Sequence, residues 1–166
     1  MIKNIVKTFA AAAAFFAAQS VCGQVSAPSP HEMRGPFPIM STPYFEDGSV
    51  DYESLAKEAV WVADSGCPGG IWCQSNDAID LLSIEEKFKG FEACAAALAG
   101  RNSVLTLGAN GTNTAEMLMI ATEIERVAAR HPRTKIAMVS RPPDDVRSQE
   151  EIEAAWDALG KISKRP

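Results

Sequence analysis

Apolar positions along this chain change spacing in a regular way. Short apolar runs at Phe37–Ser41, Gly70–Cys73, Ser103–Leu107 and Lys135–Ser140 have the length of buried strands. Between and after them the spacing becomes helical, with Tyr52, Leu55, Ala59 and Val62 on one face, then Phe88, Phe91, Ala95 and Leu98 on another. Met117, Ile120, Ile124 and Val127 form a third stripe, and Ile152, Trp156, Leu159 and Ile162 a fourth. Local punctuation agrees: Asp51 is placed to cap the first helix, and Ser83/Glu86 and Ser148/Glu151 have capping-box spacing. Asn113 opens the third helix with Glu116 at the reciprocal position, while Gly66 and Gly100 end the first two. Trp61, Trp72 and Trp156 fit core positions.

Strand starts near 37, 70, 103 and 135 are separated by 33, 33 and 32 residues. A helix between each pair of equally spaced strands predicts a parallel sheet with right-handed crossovers. Periodicity alone leaves two architectures open, a doubly wound sheet and part of a (β/α)8 barrel. In either, chemistry collects at the carboxyl ends of the strands. Thr42-Pro43 ends the first strand with a hydroxyl, which makes Thr42 a candidate pocket residue.

The first segment reads differently. Lys3 and Lys7 precede an apolar run, Phe9 to Ala18, and Val25-Ser26-Ala27 is suited to signal-peptidase cleavage, so residues 1–27 are expected to be a secretory signal. The run is too short to span a bilayer. Cys22 lacks the preceding residues of a lipidation site. Residues 28–34 are a Pro/Ser-containing linker, and 35–166 form the domain. A secreted or periplasmic location follows.

Removing Lys3 and Lys7 takes the formal charge from −5 to −7. An acidic chain without a basic stripe argues against nucleic acid and anionic membrane as partners. Cys67, Cys73 and Cys94 are an odd set without paired spacing and read as buried thiols, neither a disulfide framework nor a zinc site. His31 and His131 are isolated, so no metal is expected. No Gly-x-Gly-x-x-Gly run follows a strand and no phosphate-cradling loop occurs, so no cofactor is expected. Asp77 and Asp80 read as a solvated loop, and Asn110 as support for the turn into the third helix.

Three stretches together resemble a known family. Thr42-Pro43 followed by Asp47-Gly48-Ser49-Val50-Asp51, the Leu82-Ser83-x-Glu85-Glu86 helix start, and Gly108 to Glu116 are similar to the dihydrodipicolinate synthase / N-acetylneuraminate lyase family, class I pyruvate aldolases on a TIM barrel. The resemblance runs from about Gly35 to Pro166. It implies an α/β fold of the (β/α)8 TIM-barrel type, here an incomplete barrel of about four βα units. It also implies a small-molecule 2-oxo acid partner held through a lysine imine, and a homo-oligomer for a full-length enzyme.

The family's Gly-Thr-Thr-Gly-Glu run, which holds the substrate carboxylate, aligns without gaps to Gln74-Ser75-Asn76-Asp77-Ala78. Ser75 and Asn76 are therefore, with Thr42, the candidate substrate-binding residues. Where the family often carries Pro-Tyr-Tyr, the chain has Pro142-Pro143-Asp144, without the relay tyrosine. Arg165-Pro166 resembles the residues ahead of the fifth strand, so the chain is expected to stop before the strands bearing the second tyrosine and the imine lysine. Lys57, Lys87, Lys89, Lys161 and Lys164 are expected on helices with their amines in water, and Lys135 at the far end of its strand. No catalytic residue is assigned. Two functions remain open: a secreted Schiff-base lyase acting on pyruvate or another 2-oxo acid, of which this is the amino-terminal half, and a non-catalytic carboxylate-binding or inactive relative.

Overall fold

The computed structural model describes residues 27–77 and 79–166. The expected signal sequence lies outside the described residues except for Ala27, and so does Cys22. Three parallel strands, β1 (Gly69–Trp72), β2 (Val104–Gly108) and β3 (Lys135–Val139), form a sheet in chain order. Four helices, α1 (Tyr52–Asp64), α2 (Ile84–Ala97), α3 (Thr114–Arg130) and α4 (Gln149–Ile162), alternate with them. Each helix packs against the next, α1 on α2, α2 on α3, α3 on α4. A doubly wound sheet would divide successive helices between two faces; this singly wound layer is the barrel arrangement.

The expected first strand is reduced to one bridge, Ile39 to Ile71. The cause is in the residues: Pro36 and Pro38 have no N–H to donate, so only Met40 N–H to Ile71 O (2.8 Å) and Ile71 N–H to Pro38 O (2.8 Å) remain. Beyond them, Ser41 N–H turns to the Glu58 carboxylate at 3.1 Å.

Register separates the two faces of the sheet. Leu105, Leu107 and Ile136 meet Phe91, Ile120, Ile124 and Val127 in the core under the helices. Ile71, Thr106 and Ala137 are register partners in one row and share the opposite, inner face. All four expected helices form at their expected caps. Asp51 accepts from Ser54 N–H at 3.0 Å, and the Ser83/Glu86 and Ser148/Glu151 boxes both close. At Asn113 the box is half made: Asn113 accepts from Glu116 N–H, but the Glu116 carboxylate takes the N–H and hydroxyl of Thr112 instead.

Several expected core positions move outward. Trp61 is 69% exposed, because it lies off the Leu55, Ala59, Val62 stripe of α1. Ile152, Trp156, Leu159 and Ile162 are only half-buried, with Ala155 the buried residue of α4. Gly160 in α4 has open space where a Cβ would stand. Gly160→Ala is therefore expected to raise stability by about 0.5–1 kcal/mol, the helix-propensity difference, as a higher urea midpoint.

Residues 28–34 lie against the amino-terminal rim of the sheet. Glu32 pairs with Lys135 at 2.6 Å, and Lys135 also donates to Asn102. The Lys135 hydrogen bond, followed by those from Ser29, lowers the Glu32 carboxyl to about 2. Lys135 is thus at the end opposite the carboxyl ends, as expected. Towards the carboxyl end of β3, Met138 N–H donates to the carbonyl of Pro166 (3.1 Å), laying Arg165-Pro166 beside the strand.

Candidate functional site

Thr42 is 8% exposed, and its N–H and hydroxyl are both hydrogen-bonded. Its N–H donates to Asp77 Oδ1 at 2.9 Å, its hydroxyl donates to Asp77 Oδ2 at 2.5 Å, and the hydroxyl accepts from Trp72 Nε1–H at 3.1 Å. Asp77 is therefore no solvated loop acid: it pins the end of the first segment to the turn after β1. Asp80 is exposed and takes no part in that contact. The charge of Asp77 also acts on Tyr44, whose phenol is raised above its ordinary value first by burial and then by that carboxylate.

Ser75 and Asn76 lie exposed in the turn closed by Asp77 N–H to Gln74 O at 2.9 Å. Asn76 N–H is held by the Gln74 side chain at 3.1 Å. The structure thus places Thr42 beside Asp77, with Ser75 and Asn76 presented to solvent on the same turn.

Asn110, 2% exposed, is a brace among three strand ends. Its Nδ2 donates to Cys73 O at 2.9 Å after β1, and its Oδ1 accepts Arg141 N–H at 3.1 Å after β3. Beside it the Ser140 hydroxyl donates to Ala109 O at 2.7 Å, and Ala109 N–H donates to Val139 O at 2.7 Å. Cys73 adopts φ 61°, a left-handed conformation costly for a residue with a Cβ, and its carbonyl accepts the Asn110 amide. Burial pushes the Cys73 thiol up to about 12, so it is not a thiolate nucleophile at neutral pH. Burial raises Cys94 as well, while Cys67 is half-buried.

The lysines divide. Lys57, Lys89, Lys161 and Lys164 are exposed, but Lys87 is 6% exposed, not in water as expected. Its ammonium stands 3.9 Å from Glu116, linking the first turns of α2 and α3. Burial raises the Glu116 carboxyl, but the two Thr112 hydrogen bonds and the Lys87 charge outweigh it, leaving the group below its ordinary value. The stripe Lys87, Phe91, Cys94, Leu98 has helical spacing and carried the signal; the lysine's charge masks it in a hydrophobicity reading. Among the described residues no group of three or more metal-ligating side chains occurs. No described helix is long and apolar enough to cross a membrane.

No model of a known protein family matches the chain. Individual proteins do. The 4-hydroxy-tetrahydrodipicolinate synthase of Rhizobium meliloti is 31% identical over 133 residues, which is 80% of this chain and 43% of that protein. The synthase of the same name from Lactobacillus helveticus is 26% identical over 125 residues, 75% of this chain and 39% of the other. Among solved structures, dihydrodipicolinate synthase from Agrobacterium tumefaciens superposes with a TM-score of 0.71 at 22% identity, covering 82% of this chain and 44% of that one. N-acetylneuraminate lyase from Mycoplasma synoviae gives a TM-score of 0.71 at 21% identity, over 83% and 46%. The chain spans less than half the length of these relatives. It belongs to the dihydrodipicolinate synthase / N-acetylneuraminate lyase family, of whose (β/α)8 barrel it forms the amino-terminal half.

Proposed function

We propose that this chain forms one wall of the pocket of a Schiff-base lyase or aldolase acting on pyruvate or another 2-oxo acid, with the imine lysine outside its own residues. The observation that carries the reading is the braced constellation at the carboxyl ends of β1 to β3, where such barrels bind substrate. Ser75 and Asn76 offer a hydroxyl and an amide for a carboxylate, and Thr42 orients the turn through Asp77.

The backbone supports a register one residue earlier than the gapless alignment. The left-handed φ of Cys73 suits the first glycine of Gly-Thr-Thr-Gly-Glu. That register sets Gln74 and Ser75 on the two threonines, Asn76 on the second glycine and Asp77 on the glutamate. Ser75 is a carboxylate donor in both registers.

A second reading, a carboxylate-binding protein without catalysis, is favoured by one feature. Where the family often carries its relay tyrosine, the chain has Pro142-Pro143-Asp144. Export by the amino-terminal segment remains part of the proposal and would suit breakdown of an acid better than its synthesis.

Borohydride reduction with pyruvate tests the assignment. The 166-residue chain is expected to gain no pyruvyl adduct by mass spectrometry, whereas a product of the same reading frame extended through the next two strands is expected to gain one. An adduct on the 166-residue chain would overturn the claim, and its first mapping target would be Lys87. No adduct on the extended product would favour the non-catalytic reading.

A further inference from the structure

Two buried side-chain polar atoms lack a hydrogen-bond partner among the described residues, Thr106 Oγ1 and Arg141 Nε. Thr106 lies on the inner face of the sheet, in register with Ala137. Arg141 follows two residues after Val139. Met138 and Ser140 line a cavity against Trp156 and Leu159 of α4, so alternation from Met138 through Ser140 directs Arg141 to the opposite, inner side. Its base is fixed, because its N–H is held by Asn110 at 3.1 Å. Its guanidinium makes one ion pair, Nη1 to Asp144 at 3.0 Å, with side-chain exposures of 35% and 59%. Such an exposed pair is weak and exchangeable. An unpaired N–H sheltered from water is costly, and a planar carboxylate suits a guanidinium edge better than any neutral acceptor.

We propose that Arg141 is an anion-binding residue of the pocket, and that the 2-oxo acid of this site carries a second carboxylate which Arg141 receives. The inference rests on the 2-oxo acid reading above and narrows its substrate class. Ser75 takes the carboxylate next to the oxo group, and Arg141, at the end of β3, takes the distal one.

Calorimetric titration of the 166-residue chain with pyruvate, 2-oxoglutarate and glutarate separates the two ideas. The 2-oxo diacid is expected to bind about tenfold more tightly than pyruvate, as one charge-assisted pair provides. Arg141→Met should remove that preference. Asp144→Asn, which removes the competing carboxylate, should tighten the diacid by about twofold, a gain that misfolding cannot imitate. Equal affinities for pyruvate and 2-oxoglutarate, or a preference that survives Arg141→Met, overturn the assignment of Arg141 and leave the 2-oxo acid reading standing. Glutarate binding as tightly as 2-oxoglutarate, with pyruvate not bound, keeps Arg141 and overturns the 2-oxo acid reading. Binding of none of the three overturns both.

Discussion

Trp72→Ala is expected to cost roughly 3–5 kcal/mol of unfolding free energy, the range for deleting a large buried ring. The residue is fully buried, meets Phe91 edge-on with centroids 5.7 Å apart, and gives its indole N–H to Thr42. Its ring lies so close to α2 that a Cβ on Gly90 would stand 1.9 Å from it. Truncation therefore opens a cavity between β1 and α2 and takes a donor from the Thr42 hydroxyl at once. Against a total of about 5–15 kcal/mol for a domain of this kind, the loss is roughly a fifth or more. Urea denaturation followed by circular dichroism checks it, with Trp61→Ala as the internal control. Trp61 is 69% exposed, and its loss should change stability by no more than about 0.5 kcal/mol. Equal midpoints for the two variants would refute this account of the core.

Gly108→Ala is expected to be nearly as damaging although it adds one methyl group. A Cβ there would stand 1.7 Å from the Cys73 carbonyl oxygen, 2.6 Å from its carbon and 2.7 Å from Asn110 Nδ2. The obstacle is backbone, which no rotamer change relieves. Overpacking of this sort costs about 1–3 kcal/mol, and parting Asn110 from Cys73 leaves a buried carbonyl unpaired at about 1–3 more. We expect a loss of roughly 3 kcal/mol or more, read in the same denaturation series. The contrast with Gly160→Ala is the sharper check, because the same chemical change has the opposite sign where nothing stands in its way.

The parts of this fold that were legible in the sequence are those decided within a few residues. Helix stripes and the Ser83 and Ser148 capping boxes depend on spacing of three or four, and they form where expected. Two misreadings were also local. The prolines at 36 and 38 announce a strand short of donors, and Trp61 falls one residue off its stripe. Lys87 follows the stripe faithfully but carries a charge that the hydrophobic pattern discounts. The site was harder to read for a different reason. Thr42 and Asp77 are 35 residues apart, Cys73 and Asn110 are 37 apart, and neither pairing has a local signature. Thr42 could be picked out as a strand-end hydroxyl, yet which partner would take its proton depended on tertiary structure. The resemblance supplied the barrel, and the barrel brought those residues together.

The Asn110 brace bears on how a pocket like this can diverge. One amide side chain links the ends of β1 and β3 to its own loop, and both links run to main-chain atoms, the Cys73 carbonyl and the Arg141 N–H. The Cys73 carbonyl is present whatever residue occupies the position, and the N–H at 141 for any residue but proline. The exposed side chains of Ser75, Asn76, Pro142 and Asp144 can therefore be exchanged without loosening the scaffold beneath them, and they lie in the stretches read from the sequence as departing from the family's pattern. The architecture keeps the bracing of the strand ends and the exposed side chains above them in separate sets of atoms, so the rim can change while its foundations stay in place.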